Sequence, residues 1–198
     1  MPDPSLRRPL RLHNLHLANT DNSTHHALPN RWHVMAVTLS AASALSWIAE
    51  IIGRDKSIGD LVAEVEQFAT DEKNRAHAPI FIPYLTGERT PHNDPEASAM
   101  FIGVRAGHTQ AALAYAAMEG VAFCFADDLD VINDADAKLD ECVLVGGGAR
   151  STFWGQMFAD CLGVPLDLAA ESTGDRGQVA GRHRDGVRVD VGHRQTAF

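Results

Sequence analysis

Cys142-Val143-Leu144-Val145-Gly146-Gly147-Gly148-Ala149-Arg150-Ser151 is the stretch that decides the fold. Its four apolar residues, two of them β-branched, read as a buried strand. Three glycines then let the backbone turn tightly, and the Ser151 hydroxyl is suited to cap the helix that follows. That helix turns Phe153, Trp154, Met157, Phe158 and Cys161 inward and stops at Gly163. Pro165-Leu166-Asp167-Leu168 reads as one more short strand. A strand, a turn, a helix and a strand in succession predict an α/β architecture.

Upstream, Leu113, Ala117, Val121, Phe125, Leu129 and Ile132 form a long stripe rich in small residues, the pattern of a core helix from Thr109 to about Ile132. Before it lies a second informative island, Ile80-Phe81-Ile82-Pro83-Tyr84-Leu85-Thr86-Gly87-Glu88-Arg89-Thr90-Pro91-His92-Asn93-Asp94-Pro95. Pro79 to Leu85 predicts a short buried strand that Pro83 ends or places at an edge. Thr86 to Glu96 predicts a polar loop beside it, and both a functional loop and a merely well-capped turn fit that sequence. Further upstream, Ser57 and Asp60 resemble a capping box ahead of Ile58, Leu61, Val62, Val65 and Phe68 on one helical face. Leu45, Ile48, Ile51 and Ile52 predict an earlier helix that stops at Gly53. Asp71 to Arg75 reads as a solvated connection.

Residues 1–24 show no sustained period and are expected to be a poorly ordered leader. Residues 173–198 alternate Arg, Gly, Asp, His and Val with no apolar helix face, and are expected to be a disordered tail that finishes no core.

At 198 residues and 21.4 kDa the chain can hold one large or two small domains. A net charge of -9 works against nonspecific nucleic-acid binding, because the overall field repels a phosphate backbone. Arg7, Arg8 and Arg11 are followed by no apolar run, and no stretch reaches the roughly 18 apolar residues of a membrane span, so the expected location is the cytoplasm. Cys124, Cys142 and Cys161 lack CxxC spacing and sit in apolar surroundings, which reads as packed thiols. The scattered histidines lack zinc-site spacing, and no metal held by protein ligands alone is expected.

The glycine turn is where chemistry is expected. Gly146, Gly147, Gly148 and Ala149 let a ligand approach the backbone, and the N–H groups leading into the Ser151-capped helix would favour phosphate or ribose. The spacing matches neither GxGxxG nor GxxxxGK[ST], so a bare structural turn stays open as the alternative. Glu88, Arg89, His92 and Asp94 could place charge near a ligand, or they could be an internal Glu88–Arg89 pair and an Asp cap. No GxSxG elbow appears, and hydrolase chemistry has little support.

Several motifs in order carry a resemblance. They are His26-Ala27-Leu28-Pro29 with Trp32, His33 and Met35; Leu39-Ser40-Ala41-Ala42 with Trp47; the loop Tyr84 to Pro95; Phe101-Ile102-Gly103-Val104; Met118-Glu119-Gly120-Val121-Ala122; and Gly146 to Ser151 with Trp154 and Ala159-Asp160. Across about residues 25–172 the chain resembles the C-terminal domain of the FGGY carbohydrate kinases, and its Gly-Glu-Arg-Thr-Pro-His loop is most similar to the xylulokinase branch. The resemblance implies the C-terminal half of an actin-like, ribonuclease H-like ATPase fold. It also implies ATP and Mg2+ as cofactors, with Mg2+ held mainly through ATP, and transfer of the γ-phosphoryl group to a ketopentose such as D-xylulose. Gly146, Gly147, Gly148, Ala149 and Ser151 would lie against the nucleotide.

The family's N-terminal phosphate element, most of its sugar contacts and its general-base aspartate have no counterpart here, so no catalytic residue is assigned. The isolated chain is expected to be catalytically incomplete and, with an interdomain face uncovered, prone to self-association. Ala112 stands where the family usually has a polar residue. After Ser172 the sequence leaves the family pattern, which a shift of reading frame would produce. The alternatives are a noncatalytic remnant serving as a binding or interaction module, and an unrelated α/β enzyme for which no catalytic constellation is visible.

Overall fold

The computed structural model describes residues 23–25, 32–53, 56–135, 137, 139–169 and 187–190. A two-stranded antiparallel pair, β1 (Ser23–His25) and β2 (Trp32–Val34), precedes two amphipathic helices, α1 (Ala42–Ile52) and α2 (Ile58–Phe68). Ser57 caps α2 by accepting the Asp60 N–H at 3.1 Å, and its own hydroxyl donates to the Asp60 carboxylate at 2.8 Å. Leu61 and Val65 are buried on the α2 face that the sequence marked, whereas Ile58 stays exposed.

Residues 71–75, read as a connection, instead carry a helical turn, α3 (Glu72–Ala76). Asp71 caps it through the Lys73 N–H at 2.9 Å, and the Arg75 guanidinium reaches back to the Ala69 carbonyl. Local capping makes the turn, because none of its residues is buried.

Next come β3 (Ile80–Ile82) and β4 (Met100–Ile102), an antiparallel pair ended on one side by buried Pro83. Phe81 and Phe101 oppose each other, with ring centroids 4.4 Å apart, and Phe81 is buried. The alternate residues Ile80, Met100 and Ile102 lie on the other side of the pleat and are exposed.

The hub is α4 (Gln110–Asp134), capped by Thr109 and contacted by α1, α2 and β3. Its central stretch is buried almost all round, from Ala112 to Cys124, so the stripe expected from the sequence is wider than one face. Small residues make this possible. A Cβ on Gly120 would run into the Phe81 carbonyl oxygen, so glycine is what lets β3 lie directly on the helix.

The third layer is a sheet in the order β5 (Cys142–Val145), β6 (Leu166–Ala169), β7 (Val187–Val189). β5 and β6 are parallel, joined through α5 (Thr152–Leu162), while β7 runs antiparallel to β6. α5 packs on α4 and covers one face of the sheet, where Leu166, Leu168 and Val189 are buried. β5 is therefore half-buried on one face only: Val143 and Val145 point away and are each 55% exposed.

β7 also corrects the reading of residues 173–198, since Val189 joins the core and Arg188 lies 3.6 Å from Asp167 and 3.5 Å from Glu141. The rest of that segment lies outside the described residues, as do residues 1–22 of the expected leader. Among the described residues, no helix is long and apolar enough to cross a membrane.

Candidate functional site

The glycine turn joins β5 to α5 as the sequence requires. Gly146 adopts φ 89° and ψ -162°, a conformation open to glycine and strained for other residues. A short 3-10 turn, Gly147–Arg150, follows, and its first bond runs from the Ala149 N–H to the Gly146 carbonyl at 3.2 Å. The amides ahead of that bond are not engaged within the turn. Ser151 then caps α5 by accepting the Trp154 N–H at 3.1 Å, and Gly163 ends the helix in the left-handed region.

The turn is open on one side and anchored on the other. Nothing lies within 4 Å of where a Cβ on Gly146 or Gly147 would stand, and both residues are exposed. Ala149 is buried, and Trp154 locks the inner side by donating its indole N–H to the Met118 carbonyl at 3.0 Å. The result is a rigid backbone ledge without side chains on its outer edge. That shape suits an anionic or polar ligand approaching main-chain N–H groups.

The polar loop Thr86–Glu96 is built differently. Glu88 is 2% exposed, and its Oε1 accepts the backbone N–H groups of Leu39 at 3.0 Å and Arg89 at 2.8 Å. The charge pair offered by the sequence is replaced by a carboxylate-to-amide bond, while the Arg89 side chain faces solvent. Glu88 and Asp94 exchange backbone hydrogen bonds of 2.9 and 2.8 Å across the loop, and Asp94 caps the Glu96 N–H at 2.9 Å. His92 meets the Tyr84 hydroxyl at 2.8 Å. Two charged side chains of this loop, Glu88 and Asp94, hold its own backbone.

Asp128 on α4 belongs to the same region and was missed in the sequence, where it sits inside a helix between Asp127 and Leu129 with no local sign of burial. Its Oδ2 accepts the Thr38 hydroxyl at 2.9 Å. Burial pushes its carboxyl up to about 6, with the charges of Glu88 and Asp127 adding to the effect and the Thr38 bond opposing it. Burial also raises the Asp127 carboxyl and the Tyr84 phenol. The Cys124 thiol, raised mainly by burial and then by the Glu88 charge, is pushed up to about 12, which leaves it a protonated packing group and not a nucleophile. Cys142 and Cys161 are half-buried thiols.

The two candidate regions sit at different heights on α4. The glycine turn is anchored at Met118 and the loop region at Asp128, roughly 15 Å apart at 1.5 Å of helix rise per residue.

Comparison with known proteins puts a family on this framework. The model for the FGGY family of carbohydrate kinases, C-terminal domain, matches residues 5–174, starting ahead of the expected boundary at residue 25. The xylulose kinase of Escherichia coli (strain K12) is 43% identical over 171 residues, which is 85% of this chain and 34% of that enzyme. A crystal structure of a xyloylose kinase from Brucella ovis superposes with a TM-score of 0.65 at 41% identity, over 74% of this chain and 29% of the other. That of a xylulose kinase from Rhodospirillum rubrum gives 0.66 at 25% identity, over 77% and 31%. The chain thus spans about a third of the length of the curated relatives it matches. Its α/β layers are part of an actin-like ATPase fold, and on the strength of the family match and the close relatives the chain belongs to the FGGY family of carbohydrate kinases.

Proposed function

We propose that this chain is the ATP-side lobe of a xylulokinase-type enzyme and that Gly146, Gly147, Gly148, Ala149 and Ser151 form its nucleotide ledge. The observation that carries this is the open, side-chain-free edge of the turn, backed by Trp154 of α5, whose indole N–H bonds the Met118 carbonyl on α4. Gly146 and Gly147 leave free the space that a nucleotide needs to approach the backbone. Mg2+ would be held mainly through the phosphate oxygens of ATP.

The reaction is transfer of the ATP γ-phosphoryl group to a hydroxyl of D-xylulose or a related ketopentose, yielding ADP and the sugar phosphate. Such transfer depends on positioning and charge stabilisation, so it needs a second lobe to orient the sugar and accept the hydroxyl proton. About residues 25–172, with β7 added, make the ATP-side domain, flanked by the leader and the divergent tail. The chain works in the cytoplasm, with neither nucleic acid nor membrane as partner.

The test is calorimetric titration of the full chain with a nonhydrolysable ATP analogue, with and without Mg2+. Binding that Mg2+ strengthens and Gly147→Asp weakens at least tenfold is expected; undiminished binding by the variant would remove the ledge from the site. A coupled assay with D-xylulose should show no turnover by the chain alone.

A second reading, a noncatalytic interaction module, is favoured by the apolar face of β3 and β4, where Ile80, Met100 and Ile102 are 57%, 52% and 45% exposed. It expects a second copy of the chain to cover that face. A monodisperse monomer across a concentration series in light scattering would dismiss it.

A further inference from the structure

The four buried polar side chains among the described residues, Ser40, Glu88, Thr90 and Asp128, converge on one short strap, residues 37–40. Every residue of the strap is held. The Val37 N–H donates to the Thr90 hydroxyl at 3.0 Å, and the Thr90 N–H returns to the Val37 carbonyl at 3.1 Å. The Thr38 hydroxyl donates to Asp128, the Leu39 N–H donates to Glu88, and the Ser40 and Thr86 hydroxyls stand 3.4 Å apart.

Because Thr38 and Leu39 are consecutive, about 3.8 Å between Cα atoms, their partners Asp128 and Glu88 are brought into one neighbourhood. Each carboxyl carries one buried oxygen, Asp128 Oδ1 and Glu88 Oε2, with no hydrogen-bond partner among the described residues. With both carboxylates charged, these two oxygens would be acceptors without a donor in a site shut off from water. A proton supplies the missing donor and removes one charge.

We propose that this clasp is a proton-binding site: Asp128 holds one proton while the strap is seated on α4, and losing it loosens the strap and the Thr86–Glu96 loop together. Neutral Asp128 keeps its Oδ2 acceptor for Thr38. The titratable and charged groups facing it are Cys124 and Asp127 on α4 and Glu88 in the loop; His92 and Tyr84 interact with Asp127, and the strap contributes none. Of these, the charges of Glu88 and Asp127 favour protonation of Asp128, in line with the raised position of its carboxyl.

The experiment is amide hydrogen exchange on the full chain at pH 5 and pH 7.5, corrected for intrinsic rates and read at Leu39, Arg89 and Thr90. Protection is expected to fall about tenfold or more at the higher pH in the wild type, and to stay level in Asp128→Asn, which keeps the neutral shape. Equal protection at both pH values, or the same fall in Asp128→Asn, would overturn the proposal. A 13C titration of the wild-type Asp128 carboxyl decides independently of whether the variant folds. A midpoint near 6 supports the clasp, and one in the ordinary range near 3.9 overturns it.

Discussion

The loop Thr86–Glu96 and the turn Gly146–Ser151 both follow short strands, yet they settle their polar groups in opposite ways. The first is rich in charge, and its buried Glu88 satisfies two backbone N–H groups, one in its own loop and one in the strap. The second has no charged side chain before Arg150 and leaves its leading amides on an exposed edge. If the proposed ledge binds the nucleotide, charge in a loop is a poor guide to where a ligand goes. A carboxylate that answers backbone donors is structural, and a backbone without side chains is what a phosphate can reach.

The largest effect that would break this contrast is expected at Glu88. Truncation in Glu88→Ala strands the Leu39 and Arg89 amides in a site where Glu88 is only 2% exposed. Two bonds to the carboxylate are lost, for a net destabilisation of about 3 kcal/mol. Urea unfolding measures it, and a change below about 0.5 kcal/mol would mean that the loop is not held by this residue. Nucleotide-analogue affinity of the folded variant should stay unchanged.

Next comes the pH dependence of stability, with the sign fixed by Asp128. Its carboxyl is raised from 3.8 to about 6 on folding, so the folded chain binds more protons than the unfolded one between those values. The stabilisation is complete below the unfolded value and is lost as pH rises through about 6. Its size is about 3 kcal/mol at 1.36 kcal/mol per unit. The stability of Asp128→Asn relative to wild type should therefore grow by that order between pH 4 and pH 7 in urea melts. A constant difference would show that Asp128 ionises as freely in the fold as in the open chain.

How much of this was written in the sequence depends on the reach of each interaction. The strand, glycine turn and α5 were legible because Ser151, the glycines and Gly163 act within a few residues of themselves, as does the Ser57 cap of α2. The clasp was not legible: Leu39 meets Glu88 across 49 positions and Thr38 meets Asp128 across 90, so nothing near either carboxylate marks it as buried. β7 lay between these cases. Val187-Arg188-Val189 alternates as a strand does, but three residues in an Arg-rich segment carry weight only once β6 stands beside them. The half-exposed β5 failed for the same reason, since apolar composition says that a face wants cover and not that cover is present.

On the turn side, Ser151→Ala should cost about 1 kcal/mol, the usual value of a lost N-cap, because the Trp154 N–H loses its acceptor. If the unfolding midpoint does not move, water replaces the hydroxyl and the cap contributes nothing to the ledge's rigidity.

Gly147→Ala is expected to be the smallest change and the most discriminating one. No atom lies within 4 Å of the added Cβ, and the residue does not sit in the left-handed region, so stability should stay within about 0.5 kcal/mol of wild type. A ligand that approaches the backbone at this edge would nevertheless meet the new methyl group, and the affinity for an ATP analogue should drop while the unfolding curve does not shift. Glu88→Ala should give the reverse, a large shift in stability with affinity retained. If both variants lower stability and neither touches binding, the glycine turn is a structural turn like the loop, and the difference between the two regions is one of composition without functional consequence.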